Sequence, residues 1–211
     1  MKTLKAAVIG VGGISNEHIN GYIKNPNVEL YAFCDINEKQ LKKMAEKYGI
    51  PEERCFLDKN EMLEKLPEID IVSVCTWNAA HAECTIAALN AGKDVICEKP
   101  MAMNTKQAEE MLAAAKANGK HLQIGFVRRY GNDADVMRDF IDSGKFGEIY
   151  YAKATYLRRN GNPGGWFGDK SRSGGGPLID LGVHVIDLVR FLMGGPKPVS
   201  GFGAAFSGMG K

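Results

Sequence analysis

The sequence predicts an open, doubly wound parallel α/β sheet with helices on both faces, followed by a partial second domain of α+β character. Three observations carry that expectation. Over residues 1–126, short apolar runs alternate with stretches whose apolar residues recur at helical spacing, the order that builds a parallel sheet with crossover helices. A glycine-rich turn follows the first apolar run at once. The apolar runs then end in polar residues, Asp35, Thr76 and Glu98-Lys99-Pro100, where an open parallel sheet binds its ligands.

Taken in order, Leu4–Ile9 is the first strand, and Ile14–Lys24 is a helix with Ile14, His18, Ile19, Tyr22 and Ile23 on one stripe, stopped by Asn25-Pro26. Val28–Cys34 is a second strand, and Glu38–Tyr48 an amphipathic helix closed by Gly49. A short piece near Cys55–Leu57 and a helix near Asn60–Leu66 lead to the β-branched strand Ile69–Cys75. Thr76-Trp77-Asn78 opens a helix over Ala79–Leu89, and the strand ending in Glu98 follows. Thr105–Ala117 is a helix and His121–Phe126 a further strand, which closes a first domain over 1–126.

Residues 127–211 have a different character. Asp133–Ser143 reads as a helix and Glu148–Leu157 as a half-exposed strand. Asn160–Pro177 is a Gly-rich loop holding Trp166 and Phe167, Leu178–Leu192 an apolar helix, and Val199–Phe206 the start of another strand.

Composition narrows the function. The 211 residues are 45% apolar and 25% charged, ordinary for a globular protein, and the net charge of +2 gives no nucleic-acid footprint. Five cysteines without a CxxC pair suggest buried thiols in a reducing compartment, not disulfides or a metal site. No run is long enough to span a bilayer and no leader pattern precedes the first strand, so a cytoplasmic protein without membrane contact is expected.

Gly10-Val11-Gly12-Gly13-Ile14-Ser15 stands where a Rossmann dinucleotide site needs it, after a strand and at the mouth of a helix. Gly10 permits the tight turn, Gly12 lets the backbone approach a pyrophosphate, and Ser15 replaces the third glycine. Asp35, roughly 20 residues on, is placed to accept hydrogen bonds from the adenine ribose and to repel a 2′-phosphate. NAD is therefore preferred to NADP. Asn78 is either a cap or a cofactor contact, and His81 either faces the nicotinamide ribose or lies exposed.

Glu98 and Lys99 fall at the rim of the cleft, with Pro100 stiffening them. Further on, Asp180 and His184 are four apart and share a face of a helix, a pairing that suits proton transfer at a hydroxyl. Asp187 is a rival partner for the imidazole, or pairs with Arg190.

Together these pieces resemble the glucose–fructose oxidoreductase/inositol dehydrogenase (Gfo/Idh/MocA) family. The matching motifs are the glycine turn, Asp35, Thr76 with Asn78 and His81, Glu98-Lys99-Pro100, and Asp180-Leu181-Gly182-Val183-His184; Trp77 stands where many members have proline. The resemblance implies hydride transfer between NAD and a secondary alcohol of a sugar or cyclitol. Lys99 would polarise the reacting oxygen, His184 would move the proton, and Asp180 would orient His184 or bind a neighbouring hydroxyl. Gly10, Gly12, Gly13, Ile14, Asp35, Thr76, Asn78, His81 and Glu98 would hold the cofactor, and Arg129 and Trp166 would touch substrate. Against the family pattern the chain is short at its C-terminal end, so a catalytically incompetent dinucleotide-binding module is one alternative and an NAD-dependent glycosidase another. A homo-oligomer is expected at full length.

Overall fold

The structure, a computed structural model, describes residues 2–157, 159 and 163–206. Six strands, β1 (Leu4–Ile9), β2 (Val28–Cys34), β3 (Cys55–Phe56), β4 (Ile71–Val74), β5 (Asp94–Glu98) and β6 (Leu122–Gly125), form one sheet in the order β3-β2-β1-β4-β5-β6. All five pairings are parallel. The strand order reverses between β1 and β4, which opens a crevice beyond their carboxyl ends.

The alternation of side chains across the strands sorts the core into two layers. One face of the sheet packs Ala6, Val8 and Phe33 against Ile19 and Tyr22 of helix α1 (Ser15–Lys24) and Leu41 and Met44 of α2 (Glu38–Tyr48). The other packs Ala7, Ile9, Val72, Val74, Val95 and Cys97 against α3 (Lys59–Lys65), α4 (His81–Asn90) and α5 (Thr105–Asn118). The helix ends follow local chemistry: Asn37, Asp58 and Asn104 cap N-termini through their side chains, and Gly49 and Gly119 close C-termini in the left-handed conformation.

By contacts the chain forms two compact units, one of Met1–Phe126 with Tyr156–Val183, the other of Val127–Thr155 with His184–Lys211. The stretch 156–183 thus groups with the sheet. Helix α6 (Asn132–Asp142) belongs to the second unit, and the stretch 156–183 holds a 3₁₀ turn at Gly165–Gly168 and a short helix α7 (Lys170–Ser173). Residues 160–162 of the expected loop lie outside the described residues.

Two expectations need correction. Glu148–Leu157 and Val199–Phe206 form no strand; they run without regular structure and leave Tyr150 91% and Phe202 99% exposed. A strand needs a neighbour for its N–H and C=O groups, and the described residues of this unit supply none. The apolar helix also differs. Its first turn, Leu178–Gly182, is a π-turn, and the α-helix proper, α8, spans Val183–Leu192. Asp180 thus stands in the wider turn and His184 in the α-helix that follows it.

Candidate functional site

Gly10 turns with φ +86°, and a Cβ there would lie 2.8 Å from the Cys75 carbonyl and the Thr76 nitrogen, so the close approach of β1 to β4 demands glycine. Gly12 and Gly13 meet nothing within 4 Å, which leaves their backbone facing open space at the mouth of α1. Ser15, fully buried, donates from Oγ to the Gly12 carbonyl at 2.7 Å and closes the turn that a third glycine would otherwise make. Asp35 accepts the Val11 N–H on Oδ2 and the Asn37 N–H on Oδ1, both at 2.8 Å. Each carboxylate oxygen keeps a further lone-pair direction for a ligand hydroxyl.

These groups line a cleft of about 620 Å³ wholly within the first unit. Gly10, Gly12, Gly13, Ile14, Asp35 and Thr76 are on its wall, Ile36, Leu57, Ala79 and Ala80 give it apolar sides, and Trp166 and Phe167 line it too. The two rings stack at 4.0 Å and 20°. The donor set fits a dinucleotide: open amides at a helix N-terminus for a pyrophosphate, a carboxylate for ribose hydroxyls, apolar walls for a flat ring. Trp166, expected at the substrate, thus stands on the same cleft as Asp35.

Two of the expected cofactor contacts are engaged elsewhere. Asn78 is buried and donates from Nδ2 to the Ser173 carbonyl at 2.8 Å; it opens a 3₁₀ turn without capping it. His81 is neither exposed nor turned to the cleft. It is 1% exposed, with Nδ1 2.7 Å from the Pro100 carbonyl oxygen and Nε2 3.2 Å from that of Thr76. Burial holds its pKa below the ordinary histidine value, against the pull of the two carbonyls. It rivets the end of β4 to the residue after Lys99.

At the end of β5 the Lys99–Pro100 peptide bond is cis. The Lys99 ammonium donates to Asp180 Oδ1 at 2.9 Å and to the Asp180 carbonyl at 3.0 Å. Asp180 therefore serves Lys99 directly, through both its side chain and a carbonyl in the π-turn. Glu98 is not among the residues lining that cleft: it accepts His18 Nε2 at 3.0 Å on Oε1 and the Lys99 N–H at 3.2 Å on Oε2. Burial pushes its carboxyl up, but the bond and charge of His18 and the nearby Lys99 outweigh that and hold the pKa below the usual carboxylate range. His18 and Tyr22 passed in the sequence for members of an apolar helical stripe. A histidine on such a stripe, facing the one serine in the β-branched strand β4, was the available signal.

In the second unit Arg129 forms a two-pronged ion pair with Asp187, Nε to Oδ2 at 2.7 Å and a second bond from the terminal nitrogen to Oδ1. Asp187, for which the sequence offered His184 or Arg190, is thus held by Arg129, and that hydrogen bond is the chief cause that raises the pKa of the guanidinium. His184 and Asp187 are both buried. The five cysteines are free; burial pushes Cys34 and Cys97 up to about 12 and Cys84 to about 11, Cys75 further still, and raises Cys55 as well, which disfavours the thiolate at each. Among the described residues no cluster of His, Cys, Asp or Glu could hold a metal, and no helix is long and apolar enough to cross a membrane.

Comparison with known proteins adds the following. Residues 4–126 match the family described as "Oxidoreductase family, NAD-binding Rossmann fold", and residues 135–209 match a GFO/IDH/MocA C-terminal domain. The chain is 40% identical over 195 residues to D-glucoside 3-dehydrogenase of Escherichia coli K12, covering 92% of this chain and 55% of the relative. It is 30% identical over 191 residues to myo-inositol 2-dehydrogenase of Thermotoga maritima, covering 90% and 55%. The solved structure of levoglucosan dehydrogenase in complex with NADH superposes with a TM-score of 0.78 at 27% identity, covering 90% of this chain and 54% of that one. The chain thus spans just over half the length of the curated relatives it matches.

Proposed function

We propose, from the premise that the chain belongs to the GFO/IDH/MocA oxidoreductase family, that it binds NAD in the cleft of the first unit and serves the reversible oxidation of a secondary alcohol on a sugar or cyclitol. The observation that carries this reading is the Lys99 ammonium, aimed from the end of β5 and held by both an oxygen of the Asp180 side chain and the Asp180 carbonyl. Bound NAD would supply the hydride acceptor. Lys99 would donate a hydrogen bond to the reacting hydroxyl oxygen and stabilise the negative charge that develops there as the C–H bond breaks. Asp180 fixes the direction of the ammonium. His184 enters by its motif as the group that takes the hydroxyl proton, a role suited to an imidazole. Asp35 supports NAD over NADP, since a 2′-phosphate would meet its carboxylate.

The cleft's confinement to the first unit favours one other reading, a dinucleotide-binding module without turnover. Two measurements decide between them: titration with NADH followed by fluorescence, and an NAD-reduction assay across glucosides, free sugars and cyclitols. Binding together with oxidation of at least one polyol supports the dehydrogenase. Binding with no oxidation across the panel leaves the module, and failure to bind NADH removes both.

A further inference from the structure

We propose that His18 is a positioning residue for Lys99, acting through the Glu98 carboxylate; the proposal rests on the reading of Lys99 as the group that meets substrate. Behind the cleft, on the face of the sheet covered by α1, four polar side chains form an unbroken chain in an otherwise apolar layer. Tyr22 Oη lies 2.7 Å from Ser73 Oγ, His18 Nδ1 2.9 Å from the same Oγ, and His18 Nε2 3.0 Å from Glu98 Oε1. Glu98 Oε2 then accepts the Lys99 N–H. Ser73 is fully buried and the side chains of His18 and Glu98 are each 12% exposed.

One proton arrangement satisfies every member. With Glu98 ionised, His18 carries its proton on Nε2 and donates it to the carboxylate. Its bare Nδ1 then accepts the Ser73 hydroxyl, and Ser73 accepts the Tyr22 hydroxyl. A buried polar chain of this kind is costly unless complete, and this one is complete. The order serine–histidine–carboxylate is also that of an activated nucleophile. Ser73, however, has no exposed surface, so its hydroxyl is closed to substrate.

What the chain does control is the strand end that carries Lys99. Fixing Glu98, the last residue of β5, toward α1 fixes the strand end from which the backbone passes directly to Lys99. Gly125, paired with Glu98 in the ladder, leaves the room: a Cβ there would lie 3.1 Å from Glu98 Oε1. His18 and the Lys99 N–H take one carboxylate oxygen each. The Glu98 charge is thereby kept from turning to its neighbouring ammonium, which remains with Asp180 and the substrate oxygen.

The test compares His18→Leu, which removes both bonds, with His18→Gln, whose side-chain amide can still donate to Glu98. The first readout, amide hydrogen exchange, needs neither cofactor nor substrate. In His18→Leu the Lys99 N–H should exchange about tenfold faster, while the Val95 N–H, bonded to the His121 carbonyl at 2.9 Å, should not change. In the NAD-dependent assay kcat should fall about tenfold, with KM and the NADH Kd within about threefold, and His18→Gln should restore both exchange and kcat. Unchanged Lys99 exchange, equal acceleration at Val95, or glutamine no better than leucine would each overturn the proposal. If the unaltered chain shows no turnover, the functional reading has failed and the exchange arm alone decides this one. Should His18→Leu not fold, Ser73→Ala, which frees His18 Nδ1 and the Tyr22 hydroxyl but leaves the His18–Glu98 bond in place, should accelerate Lys99 exchange by about threefold, and no acceleration counts against the proposal.

Discussion

In the first unit every apolar strand has a neighbour and both faces of the sheet are covered, so Phe33, Val8 and Val72 are wholly buried. In the second, the runs with strand-like patterning carry no regular structure, and Val199, Phe202 and Phe206 are each more than nine-tenths exposed. The helices of the same unit, α6 and α8, form nonetheless. The difference lies in where each element finds its hydrogen bonds: a helix closes its own N–H to C=O ladder, whereas a strand must borrow half of it from another segment. Apolar patterning alone therefore predicts a helix more securely than a strand. It predicts a strand well only where the next strand is at hand, as along residues 4–125.

The largest effect expected from this contrast is on stability. Phe33 is fully buried, with its ring edge-on to Tyr48 at 6.3 Å. Phe33→Ala should cost about 3–5 kcal/mol of unfolding free energy, because it removes a large buried ring and leaves a cavity in a packed layer. Urea denaturation followed by circular dichroism reads it directly. A loss below about 1 kcal/mol would mean that the first unit is not the well-packed body described.

Next in size is the chemical contrast. Lys99 and Asp180 belong to the first unit along with the cleft, so Lys99→Ala should remove turnover by about 10²–10³-fold, the cost of deleting one donor to a developing oxyanion. NADH affinity should stay within about threefold, because the ammonium is held by Asp180 and touches neither the glycine turn nor Asp35. Turnover at the unaltered rate would remove Lys99 from the mechanism. Asp35→Ser tests the other end of the cleft and should weaken NADH binding by about 10- to 100-fold, the worth of hydrogen bonds to a charged acceptor. Unchanged affinity would remove Asp35 from the cofactor site.

How much of this was legible beforehand follows the same physics. The parallel sheet, the succession of its strands and helices along the chain, the glycine turn and the placing of Asp35 and Lys99 at strand ends were readable, because each is fixed by residues close in sequence or by the rule that ligands gather at strand ends. The partners were not. That Asp180 would serve Lys99, that Glu98 would turn to His18, and that His81 would lie between two carbonyls all depend on which side of the sheet each helix covers. The first involves also the π-turn at Leu178–Gly182, in which Asp180 sits. Arg129 shows the limit from the other side: nothing in its own segment marks its pairing with Asp187, far along the chain.

His81 gives a smaller, pH-dependent effect confined to the first unit. Burial lowers its pKa in the folded chain below the ordinary value of 6.5, so below that pH the unfolded chain takes up a proton that the folded one resists. The stability His81 contributes is therefore complete above pH 6.5 and is lost as the pH falls through the folded value. The urea midpoint should decline on acidification over that range. His81→Asn, which keeps a donor near the Pro100 carbonyl but does not titrate, should flatten the decline. An identical slope in the variant would assign it to other groups.

The smallest effect is the one that most directly sharpens the comparison of the two units. Phe202 is 99% exposed, so Phe202→Ser removes no buried surface and should change the unfolding free energy by no more than about 0.5 kcal/mol. Set beside Phe33→Ala, the same residue type then gives two values several kcal/mol apart, and the gap measures what a covering layer adds to a ring. Exposed apolar side chains on an extended backbone also invite pairing with another chain. Phe202→Ser should accordingly lower the tendency to associate at high concentration, read by light scattering, while leaving the urea midpoint in place. A large loss of stability in this variant would instead place Phe202 in a packed environment and close the gap between the two units.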